Sequence, residues 1–90
     1  MKIKELTNWQ KVYNKYNSTY HYNKWIKVGN YPLDYVISIY ETNGWKIEVP
    51  NLLHNVCFNF ICSMSFSSKE DAQNKTDEFV KKYNKLQVLL

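Results

Sequence analysis

The sequence has no arginine: all twelve of its basic residues are lysine, against eight acidic residues, for a net charge of +4. Arginine is the residue best suited to bidentate recognition of guanine or phosphate, so its absence disfavours specific base readout. The chain is instead rich in lysine, in asparagine, with eleven residues, and in tyrosine, with eight. AT-rich coding favours these residues, and the composition therefore indicates a low-GC bacterium or one of its phages.

Glycine is also scarce, with two residues in 90, which excludes a glycine-rich loop of the kind that cradles phosphate. No apolar run approaches the ~20 residues of a membrane span, and the first residues do not lead into the apolar core of a signal peptide. A chain of 90 residues with 44% hydrophobic and 17% aromatic residues is expected to form a single globular domain. We expect it in the cytoplasm, without a membrane partner.

Cysteine and histidine are limited to two residues each: His21, His54, Cys57 and Cys62. In an extended segment, Cys57 and Cys62 are an odd number of positions apart and point to opposite faces, which opposes a shared metal ion and a disulfide. The acidic pairs at 70–71 and 77–78 are typical of solvated or helix-capping charges. We therefore predict a protein that is not an enzyme and that binds no metal or other cofactor.

The segment YVISIYETNGWKIEVP, residues 35–50, predicts a β-hairpin. A two-residue turn at Asn43-Gly44 would divide the aliphatic side chains between two faces, whereas a three-residue loop with Gly44 in a left-handed conformation places them on one face. We therefore predict the three-residue loop, which pairs Ile39 with Ile47. The outer face is then mostly polar and solvated: Val36, Ser38, Tyr40, Lys46 and Glu48.

An amphipathic helix is predicted from Lys2 to about Tyr16, because apolar residues recur there at spacings of three and four. This stripe consists of Leu6, Trp9, Tyr13 and Tyr16, and lysines at positions 4, 11 and 15 lie on a different face. The following segment, from Tyr20 to Val28, is ambiguous. Its part Trp25–Val28 is readable as a short edge strand.

Apolar residues occupy every even position from Val56 to Phe66, which predicts a strand with Phe60 in the middle of its buried face. A helix is predicted to begin after Ser67 or Ser68, either of which could be the first residue of a capping box. The inner stripe of this helix is Ala72, Thr76, Phe79, Tyr83 and Leu86. The predicted order is therefore α-β-β-β-α: an α+β fold with an antiparallel sheet of three strands, or four, packed against two helices.

The N-terminal third mixes lysine with aromatic residues and contains the residues that we predict to bind a partner: Lys11, Lys15, Tyr20, Tyr22, Lys24, Trp25, Lys27 and Tyr31. Ammonium groups neutralise phosphates and rings stack on bases, which suits a nucleic-acid groove, while surface aromatics equally suit a protein interface. The alternative for the helical part is that its aromatic stripe is core and its lysines are a solvated face.

The aliphatic tail Leu86–Leu90 bears on the oligomeric state. Left in water, it would form an exposed apolar patch, so it is expected to dock on the sheet or on a second copy of the chain. A homodimer is therefore one option for this protein.

The segment MSFSSKEDAQNKTDEFVKKYNK, after two strands, resembles the end of small DNA-binding domains of the integrase N-terminal type, and the α-β-β-β-α order resembles the double-stranded RNA-binding domain. In size, AT-rich composition and lack of a catalytic motif, the chain resembles small phage-encoded anti-defence proteins, including anti-CRISPR proteins. That resemblance implies a non-catalytic protein that docks on a host protein or protein–nucleic acid complex and inhibits it. The alternative is a basic DNA- or RNA-binding module without strong sequence preference.

Overall fold

The chain forms its strands first and its helices afterwards. A computed structural model of the protein describes residues 2–54 and 56–89, and in the C-terminal part it describes the side chains of residues 58–86. The strands are β1 (Ile3–Glu5), β2 (Gln10–Asn14), β3 (Thr19–Val28), β4 (Asp34–Glu41) and β5 (Trp45–Glu48). A 3-10 turn (Asn51–Leu53) leads to the helices α1 (Val56–Cys62) and α2 (Lys69–Leu89).

The long strand β3 lies at the centre of the sheet, and all strand pairs are antiparallel. One side of β3 pairs with β4, which in turn pairs with β5. The other side is shared by β1, which places Ile3 opposite Val28, and by β2, which places Tyr13 opposite Tyr20. The predicted class, an α+β fold with an antiparallel sheet packed against two helices, is confirmed, but the described residues form a sheet of five strands where three or four were predicted.

The helix predicted for residues 2–16 is wrong, because this segment forms β1 and β2. Its residues at helical spacing do not make a buried stripe: Leu6 is 41%, Tyr13 54% and Tyr16 92% exposed. Tyrosine, tryptophan, valine and threonine favour extended backbone, and β1 and β2 obtain their hydrogen-bond partners from β3. Five strands followed by two helices therefore replace the order α-β-β-β-α.

The segment read as a short edge strand, Trp25–Val28, is instead part of the central strand. Ile26 and Val28 are fully buried on the helix side, whereas Trp25 is 41% exposed on the other side. This alternation follows from the two-residue period of a strand. The N-terminal third of the chain therefore forms the middle of the sheet, and not a helix that packs against the sheet.

The predicted register of the β4–β5 hairpin is confirmed. Ile39 lies opposite Ile47 and Glu41 opposite Trp45, which leaves a loop of three residues. Within this loop the backbone at Gly44 has a φ of +106°, a conformation that side chains bearing a Cβ rarely adopt. The buried aliphatic residues of both strands consequently face the helices.

Replacing Gly44 by alanine is expected to lower the free energy of unfolding by more than about 1 kcal/mol. The new Cβ would collide with the Ser65 hydroxyl and lie 3.3 Å from the Phe66 carbonyl oxygen, in addition to the unfavourable φ. Urea denaturation of the two proteins measures the difference. The double variant G44A/S65G removes the hydroxyl and is expected to recover part of the loss; equal stability of G44A and the parent protein would contradict the loop geometry.

The strand predicted from Val56 to Phe66 is also wrong, because helix α1 begins at Val56 and ends at Cys62. Phe58 and Ile61 are fully buried at helical spacing, whereas Phe60 is 60% exposed. The alternation was ambiguous, since Ile61 on the supposedly solvated face is apolar as well, and a short apolar run does not distinguish helix from strand. Phe66 makes only an isolated antiparallel bridge to β5.

Helix α2 is confirmed, including its capping serine: the Ser68 hydroxyl accepts a hydrogen bond from the Asp71 backbone N–H at 3.1 Å. The face turned to the sheet carries Ala72, Thr76, Phe79, Val80 and Tyr83. Leu86, predicted on this face, is 52% exposed. The remaining side chains of the tail lie outside the described residues, so its docking stays a prediction.

The hydrophobic core lies between one face of the sheet and the two helices. It consists of Ile3, Ile26, Val28, Ile37, Ile39, Ile47, Val49, Leu53, Phe58, Ile61, Ala72 and Val80. At one edge, the Asn84 side chain of α2 fastens β1, because its Oδ1 accepts from the Ile3 N–H at 2.7 Å and its Nδ2 donates to the Ile3 carbonyl at 2.8 Å. Strand β1 is thus held by β3 and by α2.

Candidate functional site

The residues predicted to bind a partner do not form one site, because β3 directs alternate side chains to opposite faces of the sheet. On the helix side lie Tyr20, Tyr22 and, from the paired strand, Lys11. On the opposite side lie Trp25 and Lys27. Three further residues are elsewhere: Lys15 in the β2–β3 turn, Tyr31 in the loop after β3, and Lys24 in the interior.

Lys24 has a structural role, which removes it from the expected binding surface. Its side chain is 5% exposed, and its ammonium lies 2.9 Å from Asp77 and 3.4 Å from Glu5. The same ammonium lies 5.1 Å from the centre of the Trp9 ring, and the Trp9 indole N–H donates to Asp77 at 3.4 Å. A buried charge needs such partners, because its desolvation is otherwise unfavourable. The lysine therefore connects β3 to α2.

The loop residue Tyr31 is 44% exposed and lines a shallow cavity with Gly29, Asn30 and Pro32. Lys15 is exposed, with its ammonium 5.9 Å from the centre of the Tyr16 ring. Both side chains are accessible to a partner. They lie at opposite ends of β3, so they do not converge on one ligand.

The sheet face opposite the helices, here called the open face, is the first candidate surface. Directly paired residues in neighbouring strands share a face, which assigns to it Lys4, Gln10, Val12, His21, Asn23, Trp25, Lys27, Asp34, Val36, Ser38, Tyr40, Lys46 and Glu48. Among the described residues, no helix packs on this face; both helices belong to the core on the other side. The open face is therefore available to a partner.

The open face carries little net charge and is partly aromatic. Its three lysines, Lys4, Lys27 and Lys46, exceed its two carboxylates by one, and Lys27 lies 3.7 Å from Asp34. Trp25 is 41% exposed and lies opposite Val36, while the rings of His21 and Tyr40 are 5.8 Å apart. Exposed aromatic residues with few net charges are typical of the centre of a protein–protein interface.

The second candidate surface, here called the cationic groove, lies on the helix side, where the β2–β3 hairpin meets the start of α2. It consists of Lys11, Tyr13, Tyr20, Tyr22, Trp45 and Lys69. The rings of Tyr13 and Tyr20 are 5.2 Å apart, and those of Tyr22 and Trp45 are 5.9 Å apart. A cavity of about 330 Å³ opens between them, and its lining includes Lys11, Ser18, Thr19 and Glu41.

Each lysine of the cationic groove lies over a ring. The Lys11 ammonium is 4.2 Å from the centre of the Tyr20 ring, and the Lys69 ammonium is 4.3 Å from the centre of the Tyr22 ring. Lys69 also donates a hydrogen bond to the Tyr22 hydroxyl at 3.2 Å. No acidic residue occurs between Glu5 and Asp34, so the hairpin that forms one wall of the groove carries positive charge alone.

Sequence reasoning found the hairpin residues of this groove except Tyr13, which was assigned to the stripe of a helix, and it missed Trp45 and Lys69. Trp45 could have been found, because the three-residue loop already placed it on the inner face, opposite Glu41. Lys69 could not, since its contact with Tyr22 joins residues 47 positions apart. Only the packing of α2 against the sheet brings them together.

Within residues 2–54 and 56–89, no three His, Cys, Asp or Glu side chains come together as a metal site would require. Burial raises the pKa of the half-buried Cys62 thiol, against a lowering by the Val49 backbone, and nearby Glu48 raises it further. A raised pKa disfavours the reactive thiolate. The side chain of Cys57 lies outside the described residues.

In the part of the chain that the structure describes, no helix combines the length and apolar character needed to cross a bilayer. Comparison of the chain with protein families, with curated proteins and with solved structures gave no match.

Proposed function

We propose that this protein is a non-catalytic binding protein that docks through the open face of its sheet on a host complex that handles nucleic acid or acts in defence, and inhibits it. The observation that carries the proposal is the uncovered sheet face with Trp25 at its centre, 41% exposed. A sheet with one face on the core and one face of polar and aromatic residues suits a partner that supplies the missing layer.

The composition of the open face favours a protein partner there over nucleic acid. Three lysines and two carboxylates leave a net excess of one positive charge, and Lys27 is already paired with Asp34, so the face has little positive charge to neutralise phosphates. The Ser38 hydroxyl donates to the Asn23 side-chain oxygen at 2.8 Å, so this donor and this acceptor already satisfy each other. Trp25 remains as the large side chain that a partner pocket can take up.

The choice of a defence or nucleic-acid-handling complex as the partner rests on the resemblance in size and composition to phage-encoded anti-defence proteins. Such an inhibitor needs no chemistry of its own, because occupation of a surface on its target is sufficient.

Trp25→Ala is expected to weaken binding to the partner about 30-fold or more, the effect of losing an interface residue worth 2 kcal/mol. The partner is captured from a nuclease-treated lysate of a low-GC bacterial host, identified by mass spectrometry and purified, and its affinity for each variant is then measured. Nuclease treatment removes capture through nucleic acid.

Phe60→Ala serves as the matched control, because Phe60 is also an exposed aromatic residue, 60% accessible, but lies on α1 at the other side of the sheet. It should bind as the parent protein does. Unchanged affinity of Trp25→Ala, or equal losses in the two variants, would refute docking through the open face.

A further inference from the structure

The cationic groove lies on the side of the sheet opposite the open face, and the docking role proposed above does not use it. Its walls carry aromatic rings that are accessible to solvent: Tyr13 is 54% and Tyr20 is 49% exposed. Rings with an accessible face stack on nucleic-acid bases, and the stacking tolerates any base because every base has a π-face. The groove therefore offers a surface for bases.

The lysines of the groove are placed to contact phosphates. Among the ion pairs of the described residues, none involves Lys11; its ammonium lies 4.2 Å from the centre of the Tyr20 ring, in the cavity that Glu41 also lines. Lys69 has one distant acidic neighbour, Glu70 at 3.9 Å. A cation held by a ring at an exposed site gains only about 0.5–1 kcal/mol. Both ammonium groups can therefore leave their rings for a phosphate, and the rings become free for a base.

The size of the cavity favours a single strand over a duplex. At about 330 Å³ it lies at the lower end of the range for ligand sites, roughly 300–1,000 Å³, and suits one base. Bases in a duplex have their faces covered by their neighbours and cannot enter it, whereas an unpaired strand can turn a base outward. The absence of arginine agrees with binding that is tolerant of sequence.

We propose that the cationic groove binds single-stranded nucleic acid. One base enters the cavity beside Tyr20 and Trp45, and Lys11 and Lys69 contact the flanking phosphates. Glu41, which also lines the cavity, opposes the phosphates and limits the affinity. The groove is separate from the open face, so failure of this inference leaves the docking proposal untouched.

The test measures fluorescence anisotropy of labelled 12-mers with the full chain: single-stranded DNA, single-stranded RNA, and a DNA duplex of the same sequence. The parent protein is expected to bind both single strands more tightly than the duplex. Tyr20→Leu removes the stacking ring at similar size and should weaken single-strand binding roughly 5- to 100-fold. Lys11→Gln should weaken it and flatten the dependence of log affinity on log salt by ~0.7, the contribution of one phosphate contact on a single strand.

Two variants control for the total charge of the protein. Lys81→Gln makes the same charge change as Lys11→Gln, but at an exposed position about three turns further along α2 from Lys69, and should leave binding nearly unchanged. Glu41→Gln removes the carboxylate from the cavity and should strengthen binding, a gain that a misfolded protein could not produce.

Three results would overturn the inference: equal affinity for single strand and duplex, equal effects of Lys11→Gln and Lys81→Gln, or displacement of the single strand by a poly-glutamate peptide at equal charge concentration. The last result would assign the groove to an acidic peptide. Because no step of the measurement involves the captured host partner, its outcome is independent of the Trp25 experiment.

Discussion

Phe58→Ala is expected to lower the free energy of unfolding by about 3–5 kcal/mol. Phe58 is fully buried, and its ring lies 5.6 Å from that of Tyr83 and 6.5 Å from that of Phe79. Alanine would leave a cavity between α1 and α2 that these large rings cannot close by small movements. Urea denaturation monitored by circular dichroism measures the loss.

Phe60→Ala is the control for this prediction, and it separates the helix from the strand. In a strand, Phe58 and Phe60 would share one face, and truncating either to alanine would lower the stability by a similar amount. In helix α1 they lie on different sides, and Phe60 is 60% exposed. We expect Phe60→Ala to change the stability by about 0.5 kcal/mol or less. Similar losses for the two variants would show that residues 56–62 are not helical in solution.

The second large effect is expected at the buried ion pair between β3 and α2. Asp77→Asn should cost about 2–3 kcal/mol, because it removes the 2.9 Å charged hydrogen bond to Lys24 and leaves that buried ammonium with Glu5 alone. Lys24→Met should cost less, since methionine keeps the length of the side chain and the two carboxylates that remain are partly solvated. The loss in the double variant should be clearly smaller than the sum of the single losses.

Glu78→Gln is the matched control on the same helix, one position after Asp77. Glu78 lies 3.3 Å from Lys82 and 3.8 Å from Lys75, but these pairs are at the surface. Surface ion pairs contribute about 0–1 kcal/mol, so this variant should unfold near the parent midpoint. A larger loss for Glu78→Gln than for Asp77→Asn would contradict the buried role of Lys24.

Local signals in the sequence were sufficient for two parts of the fold. The hairpin register followed from one requirement, that Ile39 and Ile47 lie on the same face, and the loop geometry at Gly44 meets it. Helix α2 followed from a capping serine and a long apolar stripe. Both signals come from residues close together in the chain, where the spacing of side chains determines their contacts.

The incorrect elements depended on contacts distant in the chain. Tyr13 fits the stripe of a helix by spacing, yet it pairs with Tyr20 in an antiparallel hairpin, and spacing alone does not decide between them. For Ile61 the error is the opposite one, because a strand was predicted where a helix forms. Ile61 and Phe58 are both buried, which fits the same side of a helix but not the same face of a strand. Tertiary packing overrode a weak local preference in both segments.

The sequence predicted which types of residue would lie at the candidate site, but not how they are arranged in space. Lysines and aromatic residues of the N-terminal third do reach the surface, as Lys11 and Tyr20 show. Their assignment to one surface was wrong. A helix would have placed these side chains on one side, whereas β3 directs alternate side chains to opposite faces of the sheet. Lys24 is the clearest example: a lysine in a basic segment is normally solvated, and only the presence of Asp77 across the core explains its burial.

The two hydrogen bonds between Ile3 and Asn84 have a consequence for the order of folding. These residues are 81 positions apart, so β1 receives its outer hydrogen bonds from a part of the chain that leaves the ribosome much later. The entropic cost of closing a loop rises only slowly with its length. The long separation of these residues is therefore expected to affect the folding rate more than the stability of the fold. The outer backbone groups of Ile3, in the first strand of the sheet to be synthesised, therefore exchange water for protein only after α2 has been made.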